Sequence, residues 1–482
     1  MNAINLNAEL ATPEIIVGLM ASLILVVPLY MKKETGIRLA FSLAITTLIV
    51  TATYIAMNVS EGAAAAMNNM YMADPLSDLL KVAICFISAG VFIYSRRYNQ
   101  DRGLDKPEYY VLGLFGVTGM MVMASANHLL TLYLGLELMS LCLYAMIAFY
   151  RDDVLAVESA MKYFVLGALA SSILLYGMSL LYGLTGSLEL SVIRDSLSTD
   201  DGNVAVALAV VLVVVALAFK LGAVPFHMWV PDVYQGAPTS TTAFIGAAPK
   251  IAAFAITMRL LAGGLEDLHA MWQQMLIIIA LLSIIAGNVI AIAQTNIKRM
   301  LAYSTISHMG FFLCGILAGT EVGYSASLFY VLIYAVMSMA AFGVILYLAG
   351  KDNESDQLDD LKGLSKRSPW IAFLLLILMF SMAGVPPTAG FFAKLSVIQS
   401  LVEADLVWVA VVAVLAAVVG AFYYLRIIKL AYFDAPETED PIPSAAGMST
   451  VLTINVLLIV AILPWVGSLL ALCGEVISQF AV

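Results

Sequence analysis

The feature that most constrains this chain is the recurrence of apolar runs of about 20 residues, the length a helix needs to cross a bilayer. Fourteen runs qualify as expected spans, near 13–31, 37–57, 77–95, 109–126, 128–149, 159–183, 203–235, 239–262, 271–293, 299–318, 323–349, 370–402, 405–432 and 449–472. Of the 482 residues, 62% are hydrophobic and 12% charged, whereas soluble domains are nearer a quarter charged. The fold class is therefore an all-α membrane protein. Two runs, 203–235 and 370–402, are longer than a bilayer requires, and each carries glycine and proline near its middle: Gly222 with Pro225, and Gly384 with Pro386 and Pro387. Both read as broken helices, and a break at membrane depth is tolerated only where protein or a water-filled cavity surrounds it.

The first run, from Ile15 to Met31, has no basic residue before it and no small-residue cleavage pattern before Lys32, so it reads as a retained span. Basic residues favour one set of loops: Lys32, Lys33 and Arg38; Arg96, Arg97, Arg102 and Lys106; Arg151; Lys298 and Arg299; Lys351, Lys362, Lys366 and Arg367; Arg426 and Lys429. The opposite set offers only Lys81, Arg194 and Arg259. By the positive-inside rule, loops after odd-numbered spans are inside and both termini outside. The net charge of −10 comes largely from acidic loops and reads as solubility at the membrane surface; no nucleic-acid partner is expected. Cys85, Cys142, Cys314 and Cys473 have no metal or disulfide spacing and read as small core residues. The polar loops 58–76, 96–108, 187–202, 350–369 and 433–448 are too short for a soluble catalytic domain, and none carries a nucleophile cluster, metal set or phosphate-binding glycine run.

The span order repeats. The pairs 109–149 and 271–318 turn over at Asn127-His128 and at Asn296-Ile-Lys298, and three spans after each comes a Gly/Pro-broken one. Spans four to eight and nine to thirteen then form two five-helix repeats, inverted because five is odd. The expected organisation is a three-helix segment at 1–108, repeats at 109–262 and 271–432, and a terminal helix at 449–482.

Four ionisable residues sit well inside spans: Glu137 in span five, Lys220 just before the first break, Lys250 in span eight and Lys394 after the second break. An uncompensated charge at such depth costs at least about 2.5–3.5 kcal/mol. One glutamate cannot neutralise three lysines, so some must shed protons or meet water. A lysine whose carboxylate partner moves can switch between charged and neutral, as a proton relay requires; the alternative is a buried pair that only sets helix packing. Weaker relay candidates are His227, beyond the first break, and His308, Ser304, Thr305 and Ser307 in span ten, which equally well serve packing or bond to their own helix. Glu158 and Lys162 are spaced to pair. His128 and His269 read as solvated helix ends, Asp359-Asp360 and residues 437–440 as solvated acidic faces, and the 25 methionines as packing.

The segments Lys220 to Pro238 (with Pro225-Phe-His-Met-Trp-Val-Pro-Asp-Val-Tyr-Gln-Gly-Ala-Pro238), Pro249-Lys250, Gln294 to His308 and Gly384 to Lys394 closely resemble the antiporter-like membrane subunits of respiratory complex I, the wording Pro-Asp-Val-Tyr-Gln-Gly-Ala-Pro being closest to their bacterial N-type branch. The resemblance covers essentially the whole chain. It implies a proton-pumping subunit with no cofactor of its own: NADH, flavin, iron–sulfur clusters and quinone would belong to partner subunits. It implies M-type antiporter-like and small K/J-type membrane subunits as neighbours, and a bacterial inner membrane as the location. By the same resemblance Glu137 and Lys220 would form a pair, Lys250 the central relay lysine, and Lys394 the lysine nearer the outer half-channel. One departure from the larger relatives is that span eleven has no histidine or lysine. The rival classes are an Mrp-type cation/proton antiporter subunit and a structural membrane scaffold.

Overall fold

A computed structural model describes residues 7–197, 203–351, 354–436 and 446–480; the acidic residues 437–440 lie outside them. Almost every element is helical. In chain order these are α1 (Thr12–Val26), α2 (Lys33–Met57), a two-stranded antiparallel ribbon β1 (Ala64–Ala66) and β2 (Tyr71–Ala73), α3 (Pro75–Asp101), α4 (Pro107–Ala124), α5 (Leu129–Ile147), α6 (Val154–Thr185), α7 (Leu190–Leu197), α8 (Val204–Leu221), α9 (Trp229–Gly236), α10 (Thr239–Gly246) and α11 (Ala248–Thr257), which continues as a π-helix over Met258–Gly264. Then follow α12 (His269–Ile292), α13 (Ile297–Leu317), α14 (Glu321–Leu348), α15 (Leu364–Arg367), α16 (Pro369–Ala383), α17 (Ala389–Glu403), α18 (Val407–Phe433), α19 (Ala446–Ala461) and α20 (Val466–Ser478).

Among the described residues, eleven helices are long and apolar enough to cross a membrane, or twelve if the bent α19–α20 pair counts as one span. The two other expected spans coincide with α4, whose first turn is Pro-Glu-Tyr-Tyr, and with the α16–α17 pair, whose break leaves each half at 15 residues. Span starts are set by side chains that accept the free amides of the first turn: Asp74 on Ser77, Asp153 on Leu155, Asn203 on Ala205, Asn296 on Arg299 and Thr320 on Gly323. With no hydrophobic gain from helix pairing in lipid, close backbone approach holds neighbours together. A Cβ at Gly119 of α4 would stand 2.6 Å from the Gly135 carbonyl of α5.

Burial separates core from rim. The segment Thr239–Gly264 is buried throughout, enclosed by α3, α4 and α14 with Phe254 against Phe312 of α13, while α1, α2, α6 and α18 expose apolar faces. Charges counted with the outer loops prove otherwise. Lys81 (1% exposed) lies 2.8 Å from Glu14 and donates to the Tyr71 hydroxyl at 2.7 Å. Arg259 (0% exposed) lies 2.7 Å from Asp74 and donates to the Ala124 carbonyl. The two histidines expected to be solvated are half-buried and engaged: His128 accepts from the Leu130 amide at 3.2 Å, and His269 Nε2 lies 3.2 Å from the Leu317 carbonyl. All four cysteines are buried and free.

Candidate functional site

Both long runs break in the same way. Helix α8 ends at Gly222 (φ 79°) and α16 at Gly384 (φ 84°), where the left-handed backbone favours glycine. Cis prolyl bonds follow at Val224–Pro225 and Pro386–Pro387. Beyond them the chain re-enters helix as α9 and α17. The turn tips reach the surface of the chain: Pro225 and Met228 are exposed at the first, Pro386 and Pro387 at the second.

A helix that ends in this way leaves carbonyl oxygens without amide partners, together worth about half a negative charge. At each break a lysine takes them. The buried Lys250 ammonium donates to the Leu221 carbonyl at 2.9 Å and stands 5.4 Å from the Trp229 ring centre. The half-buried Lys394 ammonium donates to the Met382 and Ala383 carbonyls, both at 3.0 Å, and stands 5.3 Å from the Phe311 ring. One lysine reaches its break from the following span and the other from the same span, yet the electrostatic arrangement is alike.

Lys220, in the last turn of α8, points the other way. Its ammonium donates to Ser140 of α5 at 3.0 Å and to Ser171 of α6 at 3.5 Å. A small cavity of about 10 Å³, the size of one water position, is lined by both Lys220 and Lys250, with Trp229 and Pro249. Glu137, expected to pair with Lys220, forms no ion pair with it; its buried Oε1 has no hydrogen-bond partner among the described residues. Serine hydroxyls hold the ammonium where the carboxylate was expected. Glu137 lies half-exposed on a stripe of α5 shared with Leu130, Leu134 and Leu141, which are 47%, 58% and 54% exposed.

The span-ten candidates divide. His308 is fully enclosed: Nδ1 and the Tyr330 hydroxyl of α14 are 2.7 Å apart, and Nε2 and the Tyr424 hydroxyl of α18 are 3.1 Å apart. Ser304 meets the same Tyr424 hydroxyl at 2.5 Å. Thr305 donates back to Leu301 and accepts from the Tyr334 hydroxyl at 2.8 Å. Ser307 is buried where α13 packs on Gly287 of α12. His227 is half-buried beside the exposed Met228, away from this group. Lys162 pairs with Glu158 at 2.8 Å as its spacing implies, and also with Asp232 at 2.9 Å, which Arg299 joins at 2.8 Å.

The residues missed from sequence are Tyr330, Tyr334 and Tyr424. Span eleven lacks histidine and lysine but supplies two hydroxyls one turn apart, facing α13. The 22 tyrosines of the chain hid them; a Tyr-x-x-x-Tyr spacing on a span that is buried nearly all round was the available signal. Among the described residues no set of His, Cys, Asp or Glu is grouped as metal ligands.

Comparisons with known proteins agree with this architecture. Residues 126–420 match the family described as NADH:quinone oxidoreductase/Mrp antiporter, transmembrane. The chain is 56% identical to NADH-quinone oxidoreductase subunit N of Thioalkalivibrio sulfidiphilus, over 97% of both chains. It is 54% identical to the subunit of the same name in Thiobacillus denitrificans, again over 97% of both. Among solved structures, a chain of respiratory complex I from Thermus thermophilus superposes with a TM-score of 0.82 at 29% identity, covering 96% of this chain and 99% of that one. A chain of the Mrp complex from Dietzia superposes at 0.84 with 22% identity, covering 98% and 96%, a likeness of fold alone.

Proposed function

The chain belongs to the NADH:quinone oxidoreductase/Mrp antiporter transmembrane family, and from that premise we propose how it moves protons. It is a proton-translocating membrane subunit of the NADH-quinone oxidoreductase type. The observation that carries the mechanism is the pair of lysines seated on the carbonyl ends of broken helices. A helix C-terminus favours the ammonium over the amine without any carboxylate, so each site can hold a proton. A small displacement of the half-helix withdraws that support and releases it.

In this reading Lys220, Lys250 and Lys394 are successive carriers. Water in the Lys220–Lys250 cavity joins the first two. The His308, Tyr330, Tyr424 and Ser304 hydrogen bonds continue toward Lys394 and take the place of a titratable residue on span eleven. Glu137 acts on Lys220 from a distance: when the carboxylate approaches, the ammonium is favoured, and when it withdraws, Lys220 gives up its proton. Moving one charge against about 100 mV costs roughly 2.3 kcal/mol, and a two-unit change in a lysine's affinity for its proton is worth about 2.7 kcal/mol. Displacement of one carboxylate is of the required size.

The energy comes from outside the chain. NADH oxidation, flavin, iron–sulfur clusters and quinone are assigned to partner subunits. A half-exposed carboxylate and two exposed helix breaks at membrane depth call for protein cover, and neighbouring M-type and K/J-type membrane subunits are the partners that fit. Fourteen spans with two inverted repeats, at 109–262 and 271–432, both termini outside and a bacterial inner membrane complete the reading. The burial of Lys81 and Arg259 supports it, because Arg194 is then the only lysine or arginine left in the outer loops among the described residues.

The test is proton pumping per electron in the assembled complex with Lys220→Ala or Lys250→Ala. Loss of pumping in both supports the relay. Wild-type pumping in either removes that lysine from it. A role as an Mrp-type antiporter would show cation exchange independent of NADH oxidation, and a scaffold role would show loss of assembly with the pumping ratio of the surviving complex intact.

A further inference from the structure

Lys298 is a buried cation that the relay above does not use. It stands in the first turn of α13 at 3% exposure and donates to the Ala237 carbonyl at 3.1 Å. Ala237 caps the C-terminus of α9. The contact of Lys250 with α8 and of Lys394 with α16 is thus repeated a third time, on the inner side in the orientation proposed above. Glu354, Asp356 and Asp153 act on Lys298 with opposite charge and Arg102 with like charge.

The segment 354–358 lies over this lysine and is fastened on several sides. Glu354 accepts from the Tyr98 hydroxyl at 2.7 Å, from Arg102 Nε at 2.9 Å and from the Thr239 hydroxyl at 2.9 Å. The Ile297 amide donates to the Asp356 carbonyl at 2.7 Å, the Leu358 amide to the Thr295 carbonyl at 2.8 Å, and the Asn296 side chain to the Asp356 carboxylate at 2.7 Å.

Hydroxyls lead inward from there. Tyr234, one turn before Ala237 on α9, is fully buried, and its hydroxyl has no hydrogen-bond partner among the described residues. It faces the Thr305 and Tyr334 side chains. Ser338, one turn beyond Tyr334, donates to the Gly246 carbonyl at 2.8 Å, four residues ahead of Lys250. An unpartnered hydroxyl in so closed a place has a physical cost, and a role in passing protons accounts for it.

We propose that Lys298 is the intake lysine of the inner side, taking protons from the inner aqueous phase at the rim of the 354–358 strap and passing them through Tyr234, Thr305 and Tyr334 to Lys250. In each transfer one N–H bond of the Lys298 ammonium breaks and its proton goes to the neighbouring water or hydroxyl. Each hydroxyl takes one proton and gives up its own, so it ends unchanged. The last proton goes to the neutral Lys250 amine, and the Lys298 amine takes a replacement from the inner phase. Nothing is oxidised or reduced. The inference rests on the reading of Lys250 as a carrier.

The experiment uses the assembled complex in sealed vesicles, measuring NADH oxidation and dye-reported acidification together. Lys298→Arg keeps the cation but cannot release its proton, and Tyr234→Phe removes a hydroxyl and keeps the ring. Both are expected to lose pumping per electron by about a hundredfold or more, within the range of proton-transfer groups. Wild-type pumping in either variant, beside loss in Lys250→Ala, overturns the intake role and leaves the relay standing. Wild-type pumping in all three overturns the relay itself. If Lys298→Arg fails to assemble, Tyr234→Phe alone decides.

Discussion

Tyr424→Phe is the sharpest probe of the polar line through span ten. It deletes one oxygen and leaves the ring, so packing against Tyr423 at a 4.2 Å centroid distance is kept. The oxygen is shared by Ser304 at 2.5 Å and His308 Nε2 at 3.1 Å. Ser304 can turn to a carbonyl of its own helix. His308 cannot, because Nδ1 is held by Tyr330 and the ring is enclosed by α13, α14 and α18. One unsatisfied buried nitrogen costs about 1–3 kcal/mol. Borne by the transfer step, that is a slowing of about 5- to 150-fold. The assay is dye-reported acidification divided by NADH oxidation in vesicles of the assembled complex, with thermal unfolding measured alongside. Tyr330→Phe should behave in the same way, and the double variant should be no slower than the slower single, because one interrupted line cannot be interrupted twice. A wild-type ratio in Tyr424→Phe, or strictly additive losses in the double, would refute this route; a lower unfolding temperature with an unchanged ratio would reduce the tyrosines to packing.

Three further outcomes follow from the geometry. Arg259→Ala leaves the Asp74 carboxylate buried and unpaired, since their side chains are 1% and 0% exposed, and should destabilise the chain by about 3–5 kcal/mol, read as loss of assembled complex; Arg259→Ala with Asp74→Ala should recover part of it. Gly222→Ala adds a Cβ that would stand 2.5 Å from Val230 Cγ2 on a backbone with φ 79°, a strain of about 1–3 kcal/mol, visible as a lower unfolding temperature than for Gly447→Ala, where a Cβ meets nothing within 4 Å. Burial alone would raise the Glu354 carboxyl, but Lys298, the Tyr98 hydroxyl, Arg102 and the Thr239 hydroxyl hold it below its ordinary value. Its contribution is therefore fully present above about pH 4.3, the unfolded carboxyl value, and lost as pH falls through the folded one. Amide exchange at Ile297 and Leu358, corrected for intrinsic rates, should accelerate in that window and lose this acid dependence in Glu354→Gln. Protection that stays flat into acid would contradict it.

The breaks were legible because glycine and proline have few other uses inside an apolar run, and the three deep lysines because nothing else in such a run costs as much. Their surroundings were not legible. Periodicity places Lys250 and Lys394 within spans, but which carbonyls they reach depends on how α8 and α16 stop. Glu137 and Lys220 read as a pair because opposite charges in lipid have few alternatives, yet Ser140 and Ser171, ordinary helix residues by pattern, solvate the ammonium instead. Lys81, Arg259 and Lys298 read as loop charges in sequence, since a residue near a helix end looks the same whether it meets water or a buried oxygen. The span count fell short at α4 and at α16–α17, where the chain spends apolar length on polar heads and a turn.

The complete enclosure of Thr239–Gly264 sets an order on biosynthesis. Synthesis proceeds at about 5–20 residues per second, so this segment leaves the ribosome seconds before the helices that cover it, α13 and α14, exist. During that interval Lys250 already has the Leu221 carbonyl, and Arg259 the Asp74 carboxylate and the Ala124 carbonyl, but neither has its full apolar cage. A nascent chain halted after the π-helix therefore holds two partnered cations in a segment still open on the side that α14 will cover. The order of synthesis thus places the polar partners of this interior before its apolar cover, and the insertion machinery must shelter the segment until α14 is made.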